Sequence, residues 1–190
     1  MPELNSPPVV LVPIKAFSSA KSRLRAVLDP EEVRNLARRL ATQVLEAAQP
    51  RRTLVVCDDD EVAQFATDRG VEVVRTRATT LNGAVAEAYG QMASGDTVIV
   101  AHADLRDPRG LGAFLPAPGV TIVTDHHGRG TNVLALPAGA EFRFGYGPDS
   151  ATRHRHECER LALACTVIVD SPWGYDVDEP NDLEGVPHSI

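Results

Sequence analysis

Short apolar runs separated by stretches of helical spacing constrain this chain more than any other feature. Val9–Ile14, Thr53–Cys57, Val71–Val74, Thr97–Ala101 and Val120–Thr124 are apolar at nearly every position. Such runs read as strands covered on both faces. Between the first two, Asp29 is placed to cap a helix and Pro30 to occupy its first position. Val33, Leu36, Ala37, Leu40, Ala41, Val44, Leu45 and Ala48 then recur at helical spacing until Pro50. Asp58-Asp59-Asp60-Glu61 opens a second helix that Gly70 ends, and Leu81–Met92 predicts a third. Pro108–Phe114 predicts a short helix, Asn132–Leu136 an extended segment after a glycine turn, and Ser150–Leu163 another helix. Thr166–Val169 is strand-like, and a last short helix starts at Glu179-Pro180. The alternation predicts an α/β fold in three layers, a mostly parallel sheet with helices on both faces.

Residues 1–190 read as a single domain, long enough to bury a core without staples. The balance of 26 acidic against 19 basic residues, net charge -7, argues against a general nucleic-acid partner. No apolar run approaches the length of a membrane span, and the first residues lack the pattern of a signal peptide. Cys57, Cys158 and Cys165 show no CxxC pairing and read as thiols in a reducing cytoplasm. A cytoplasmic protein is therefore expected, with no membrane partner. A homodimer is compatible with all of this and required by none of it.

In sheets of this kind ligands bind beyond the carboxyl ends of the strands, so the segments after each strand carry the functional signal. The first is all cationic: Lys15, Lys21, Arg23 and Arg25 lie within eleven residues, and no Asp or Glu occurs between Glu3 and Asp29. Close like charges need compensation, from carboxylates elsewhere or from the phosphates of a ligand. No GxxxxGK[ST] and no GxGxxG is present, so side chains would have to hold those phosphates. Asp104 follows the fourth strand, and Asp176-Val177-Asp178 places two carboxylates on one face of an extended segment. Together they suit Mg²⁺, a hard cation that takes oxygen ligands and shares its shell with phosphates. Gly128–Asn132 and Gly145–Ser150 are two glycine turns whose backbone can approach an anion, with Thr131 and Ser150 adding hydroxyls. His102, His126, His127, His154 and His156 form no zinc-like set with the cysteines and read as surface or supporting groups.

With those residues in view, the sequence resembles the 2-phospho-L-lactate / phosphoenolpyruvate guanylyltransferase family of coenzyme F420 biosynthesis. The matching pieces are Val12-Pro-Ile-Lys15 with Ala20-Lys-Ser-Arg-Leu24, Leu81-Asn82, Ala103-Asp-Leu105, Gly130-Thr-Asn132, Phe144–Ser150 with Arg153-His154, and Asp176–Pro180. The resemblance implies a fold of the nucleotide-diphospho-sugar-transferase, glycosyltransferase-A-like type. It also implies a Mg²⁺-dependent transfer of GMP from GTP to a phosphorylated three-carbon acid. By position it implies Asp104, Asp176 and Asp178 as metal ligands, and Lys15, Lys21, Arg23 and Asp104 as catalytic groups. Lys15, Lys21, Arg23 and Asn82 would bind nucleotide, and Thr131, Gly147 and Ser150 the acceptor. Phosphoenolpyruvate, 2-phospholactate and 3-phosphoglycerate all remain open as that acceptor. Another nucleotidyltransferase, of sugar-phosphate or molybdenum-cofactor type, and a catalytically weak nucleotide-binding paralogue are the alternatives.

Overall fold

The computed structural model describes residues 7–183. Its strands are β1 Val9–Pro13, β2 Thr53–Cys57, β3 Glu72–Arg75, β4 Thr97–Ala101, β5 Val120–Thr124, β6 Thr131–Pro137 and β7 Cys165–Ile168. Its helices are α1 Pro30–Ala47, α2 Asp60–Thr67, α3 Leu81–Tyr89 and α4 Ser150–Leu161. The strands form one sheet in the order β3-β2-β1-β4-β6-β5-β7. Strands β3, β2, β1 and β4 are parallel neighbours, and β7 runs parallel to β5. Only β6 runs against the rest, antiparallel to both β4 and β5. The reason is local: the turn over residues 125–130 sends the chain straight back along β5, with Gly128 at φ +73° and the Asp125 carboxylate accepting from the Arg129 N–H at 2.8 Å.

Strand alternation divides the core. Val10 and Val12 face Val44 of α1 and Phe65 of α2, whereas Leu11 and Val100 face Val85 of α3 and Cys158 of α4. Helices therefore cover both faces of the sheet, as the uninterrupted apolar runs require. Helix α1 starts where Asp29 accepts from the N–H groups of Glu31 and Glu32, while Glu32 reaches back to the Asp29 N–H. Some elements are shorter than spacing suggests. Helix α3 stops at Tyr89 with Gly90 as its cap, and α4 stops where Ala162 turns left-handed at φ +52°. Between Pro108 and Phe114 only Leu111–Ala113 forms a 3-10 turn, because Gly110 at φ +86° interrupts any longer helix. Pro180–Leu183 is likewise a 3-10 turn. A third, small apolar cluster joins Leu24, Val33, Leu36, Leu40 and Val177 at the carboxyl edge of the sheet. It ties the loop after β1 and helix α1 to the late acidic segment.

Candidate active site

The segment after β4 pairs antiparallel with residues 175–177. Leu105 bridges Asp176, the Arg106 N–H donates to the Tyr175 carbonyl at 2.8 Å, and the Val177 N–H donates to the Asp104 carbonyl at 3.0 Å. Alternation within this short ladder buries Val177 in the apolar cluster and leaves Asp176 and Asp178 on the other side, beside Asp104. The loop after β1 closes over the same place. Leu24 is buried against Val177, and Lys21 adopts φ +49°, ψ +48°, a left-handed conformation that costs a non-glycine residue about 1 kcal/mol. Its ammonium donates to the Asp104 carboxylate at 2.8 Å and to the Val177 carbonyl. With only 5% of its side chain exposed, Lys21 is an internal cation. Arg23 pairs with Asp178 at 2.9 Å and with Glu179 at 3.2 Å at the solvent edge, and Arg25 donates to the Ser18 carbonyl. Part of the compensation demanded by the cationic loop thus comes from the chain's own late carboxylates.

Asp104 and Asp176 face each other with opposite tendencies. Burial pushes the Asp104 carboxyl up, but Lys21, His102 and the Lys21 hydrogen bond outweigh it and hold the group below the usual carboxylate range. Burial, followed by the negative charge of Asp104, pushes Asp176 above that range. Asn132 supports Asp176 from β6, its amide reaching the Trp173 carbonyl at 3.0 Å and the Asp176 carboxylate at 3.4 Å. Among the described residues no three His, Cys, Asp or Glu side chains converge as a complete metal cage. The oxygen donors of Asp104, already drawing in the Lys21 ammonium, and of Asp176 nevertheless fit a hard cation that completes its shell with water and phosphate.

These groups line a cavity of about 400 Å³ with walls from Lys15, Lys21, His102, Asp104, Asp176 and Asp178. It opens at the carboxyl ends of β1 and β4. Beside it, a shallow shelf over the ends of β1, β2 and β3 is lined by Asp58, Thr76, Thr79 and Thr80. A larger cleft of about 770 Å³ lies between Gln43, Glu46, Arg106, Arg109 and Tyr175, and none of the three carboxylates lines it. The three carboxylates therefore meet on the smaller cavity.

Thr131, Gly147 and Ser150 are gathered one layer further along. Thr131 and Ser150 are each 2% exposed, at the starts of β6 and α4. Gly147 sits at φ +121°, which reserves the position for glycine. His154, fully buried, joins the two elements: its Nδ1 lies 3.0 Å from the Thr131 hydroxyl and its Nε2 accepts from the Gly145 N–H at 3.0 Å. Asn82, expected to contact nucleotide, has partners within the chain. Its amide oxygen accepts from the Tyr146 N–H at 2.7 Å and its amide nitrogen donates to the Tyr146 carbonyl at 3.2 Å, so it clamps the Gly145–Ser150 loop. The Tyr146 and His102 rings, 5.4 Å apart, connect that loop to the carboxylate cavity. Four supporting residues, His102, Asn132, Tyr146 and His154, received no site role from the sequence, although Asn132, Tyr146 and His154 lie within the matching pieces Gly130–Asn132, Phe144–Ser150 and Arg153-His154.

The architecture is shared with solved structures. A Desulfovibrio desulfuricans protein described provisionally as a nucleotide-diphospho-sugar transferase superposes with a TM-score of 0.72 at 17% identity, over 94% of this chain and 85% of that one. CMP:2-keto-3-deoxy-manno-octonic acid synthetase, solved with CTP, superposes with a TM-score of 0.61 at 14% identity, over 95% and 97%. The fold is thus of the nucleotide-diphospho-sugar-transferase type. Within that class the particular family is clear. Residues 8–187 match the family described as "Guanylyl transferase CofC like", and the chain belongs to it. A phosphoenolpyruvate guanylyltransferase of Chloroflexus aggregans is 33% identical over 189 residues, covering 92% of this chain and 94% of the relative.

Proposed function

We propose that this chain is a guanylyltransferase that moves GMP from GTP to the phosphate of phosphoenolpyruvate, releasing pyrophosphate. The observation carrying this reading is the convergence of Lys15, Lys21, Asp104 and Asp176 on one cavity at the carboxyl ends of β1 and β4. Family membership and the name of the Chloroflexus aggregans relative support the base and the acceptor. In the reaction an oxygen of the acceptor phosphate forms a bond to the α-phosphorus of GTP, and the bond from that phosphorus to the bridging oxygen of the β-phosphate breaks. A phosphate monoester is mostly ionised near neutral pH, so the attack needs no protein base. Catalysis rests on alignment and on stabilising the charge that builds on the leaving pyrophosphate.

Lys15 reaches the cavity from the end of β1 and, with Lys21 and Arg23, supplies positive charge for the triphosphate. The shelf over β1–β3 suits the nucleoside, and Thr131, the Gly147 backbone and Ser150 suit the acceptor. Asp104 and Asp176, with Asp178 at the rim, would hold Mg²⁺. When bound, that ion supplies electrostatic neutralisation of the phosphates. Lys21 would then have to share Asp104 with the ion or turn toward the phosphates. Asp104→Ala tests the assignment: steady-state pyrophosphate release should fall at least about 100-fold while circular dichroism keeps the native signature. Near-normal turnover in this variant contradicts it.

A further inference from the structure

Helix α3 grips two loops at once, the one after β3 and the Gly145–Ser150 loop. Thr76, Ala78, Thr79 and Thr80 of the first line the shelf proposed for the nucleoside. From the last turn of α3 the Glu87 carboxylate reaches back to this loop, accepting from the Thr76 hydroxyl and from the Arg77 N–H at 3.0 Å. The buried Thr76 passes the hold on in both directions. Its hydroxyl accepts from the Ala78 N–H at 3.0 Å, and its N–H donates to the Cys57 carbonyl at the end of β2. These bonds, that of Thr76 foremost, hold the Glu87 carboxyl below the usual carboxylate range. Packing agrees: a Cβ at Gly83 would lie 2.7 Å from that of Ala78, so the loop rests on the first turn of the helix. From that same turn Asn82 clamps both backbone groups of Tyr146. The Tyr89 hydroxyl donates to the Pro137 carbonyl and accepts from the Ala140 N–H at 3.1 Å, which fixes the approach to the second loop. Val85, between these polar anchors, faces the sheet, so its truncation leaves them in place.

We propose that Glu87 and Asn82 are positioning residues through which α3 sets nucleotide and acceptor against each other, Glu87 by fixing the shelf loop and Asn82 by fixing the Gly145–Ser150 loop. This rests on the reading of shelf and loop made above and goes beyond it, because neither side chain touches a substrate. An in-line displacement needs the attacking oxygen and the α-phosphorus in register, and one rigid helix bonded to both loops supplies that register. The charge of Glu87 is no help in itself. A carboxylate behind a nucleotide shelf works against a triphosphate, so what Glu87 contributes is the shape of the loop.

The test is calorimetric titration of the full chain with GTP and Mg²⁺ and, separately, with phosphoenolpyruvate, so that no transfer occurs during binding. Glu87→Ala should weaken GTP about tenfold and change phosphoenolpyruvate less than about twofold, and Asn82→Ala should do the opposite. Loss of a negative charge alone would tighten GTP, so the sign of the Glu87→Ala effect separates loop anchoring from electrostatics. Glu87→Gln keeps an accepting oxygen for the Arg77 N–H and should bind GTP more tightly than Glu87→Ala. With both substrates saturating, each alanine variant should still transfer GMP about tenfold more slowly than the wild type, a loss of register that affinity does not report. GTP affinity unchanged or tighter in Glu87→Ala, equal losses for both probes, no difference between Glu87→Ala and Glu87→Gln, or full-rate transfer at saturation each overturns the assignment. Weaker GTP binding in Asn82→Ala makes Asn82 a nucleotide contact and overturns its part. A wild type that binds both probes and transfers no GMP overturns guanylyl transfer, and the affinity splits then decide the role of α3. Normal transfer by the wild type without those splits keeps guanylyl transfer and overturns the role of α3. A wild type that fails to bind either one of the probes overturns both.

Discussion

At the scale of single residues, two buried cationic or potentially cationic side chains solve opposite problems. Lys21 is matched by the Asp104 carboxylate and the Val177 carbonyl. His154 stays neutral: burial, helped by the charges of His102 and Arg153 and opposed by Glu157, pushes its pKa down to about 4. Because its Nε2 accepts from Gly145, its proton sits on Nδ1 and is donated to the Thr131 hydroxyl. The unfolded chain takes up a proton on this histidine below its ordinary value near 6.5, and the folded chain does not until about pH 4. Its contribution to stability is therefore lost as pH falls through that window, by about 2 kcal/mol at pH 5. Urea denaturation of wild type and His154→Gln at pH 7.5 and pH 5 isolates this, because other titrating groups are common to both. The wild type should lose about 2 kcal/mol more than the variant on acidification; parallel losses contradict a neutral, buried His154.

At the scale of elements, the late acidic segment is positioned by an apolar residue. Val177 fills the cluster of Leu24, Val33, Leu36 and Leu40 and thereby aims Asp176 and Asp178. Val177→Ala removes two methyl carbons from a fully buried site, which should cost about 2 kcal/mol of stability. Pyrophosphate release should drop about tenfold, since small misplacements of reacting groups are costly. Val85→Ala, an equal truncation on the α3 face, should lose similar stability with little change in rate. Equal rate losses in both variants would mean that Val177 merely stabilises the fold.

Legibility also belongs to this scale. The bounds of β2, β4 and β5 could be read residue for residue from Thr53–Cys57, Thr97–Ala101 and Val120–Thr124, because each is a continuous apolar run with polar or turn residues on both sides. The reversal of β6 and the 3-10 character of Leu111–Ala113 were not legible, since both depend on glycine conformations rather than on periodicity. Asp104, Asp176 and Asp178 were visible as a constellation from their positions after strands. Their pairing with Lys21 and Arg23, across 83 and 155 residues, depends on the closed loop and could not be read from spacing.

At the scale of the molecule, four parallel strands deliver their carboxyl ends to one edge, and the chain returns there twice more. Residues 175–178 come back to pair with the end of β4, and the Gly145–Ser150 loop comes back to pack Tyr146 on His102. The shelf proposed for the nucleoside, the carboxylate pair and the loop proposed for the acceptor are thereby set side by side on one sheet. The central claim is that these parts join GMP to a phosphorylated three-carbon acid. Mass spectrometry of the full chain incubated with GTP, phosphoenolpyruvate and Mg²⁺ tests it most directly. The account predicts a product with the mass of GTP plus phosphoenolpyruvate minus pyrophosphate, at a rate that falls at least about 100-fold on chelation of the metal. GTP and phosphoenolpyruvate recovered unchanged, with Mg²⁺ present and the chain folded, would contradict it.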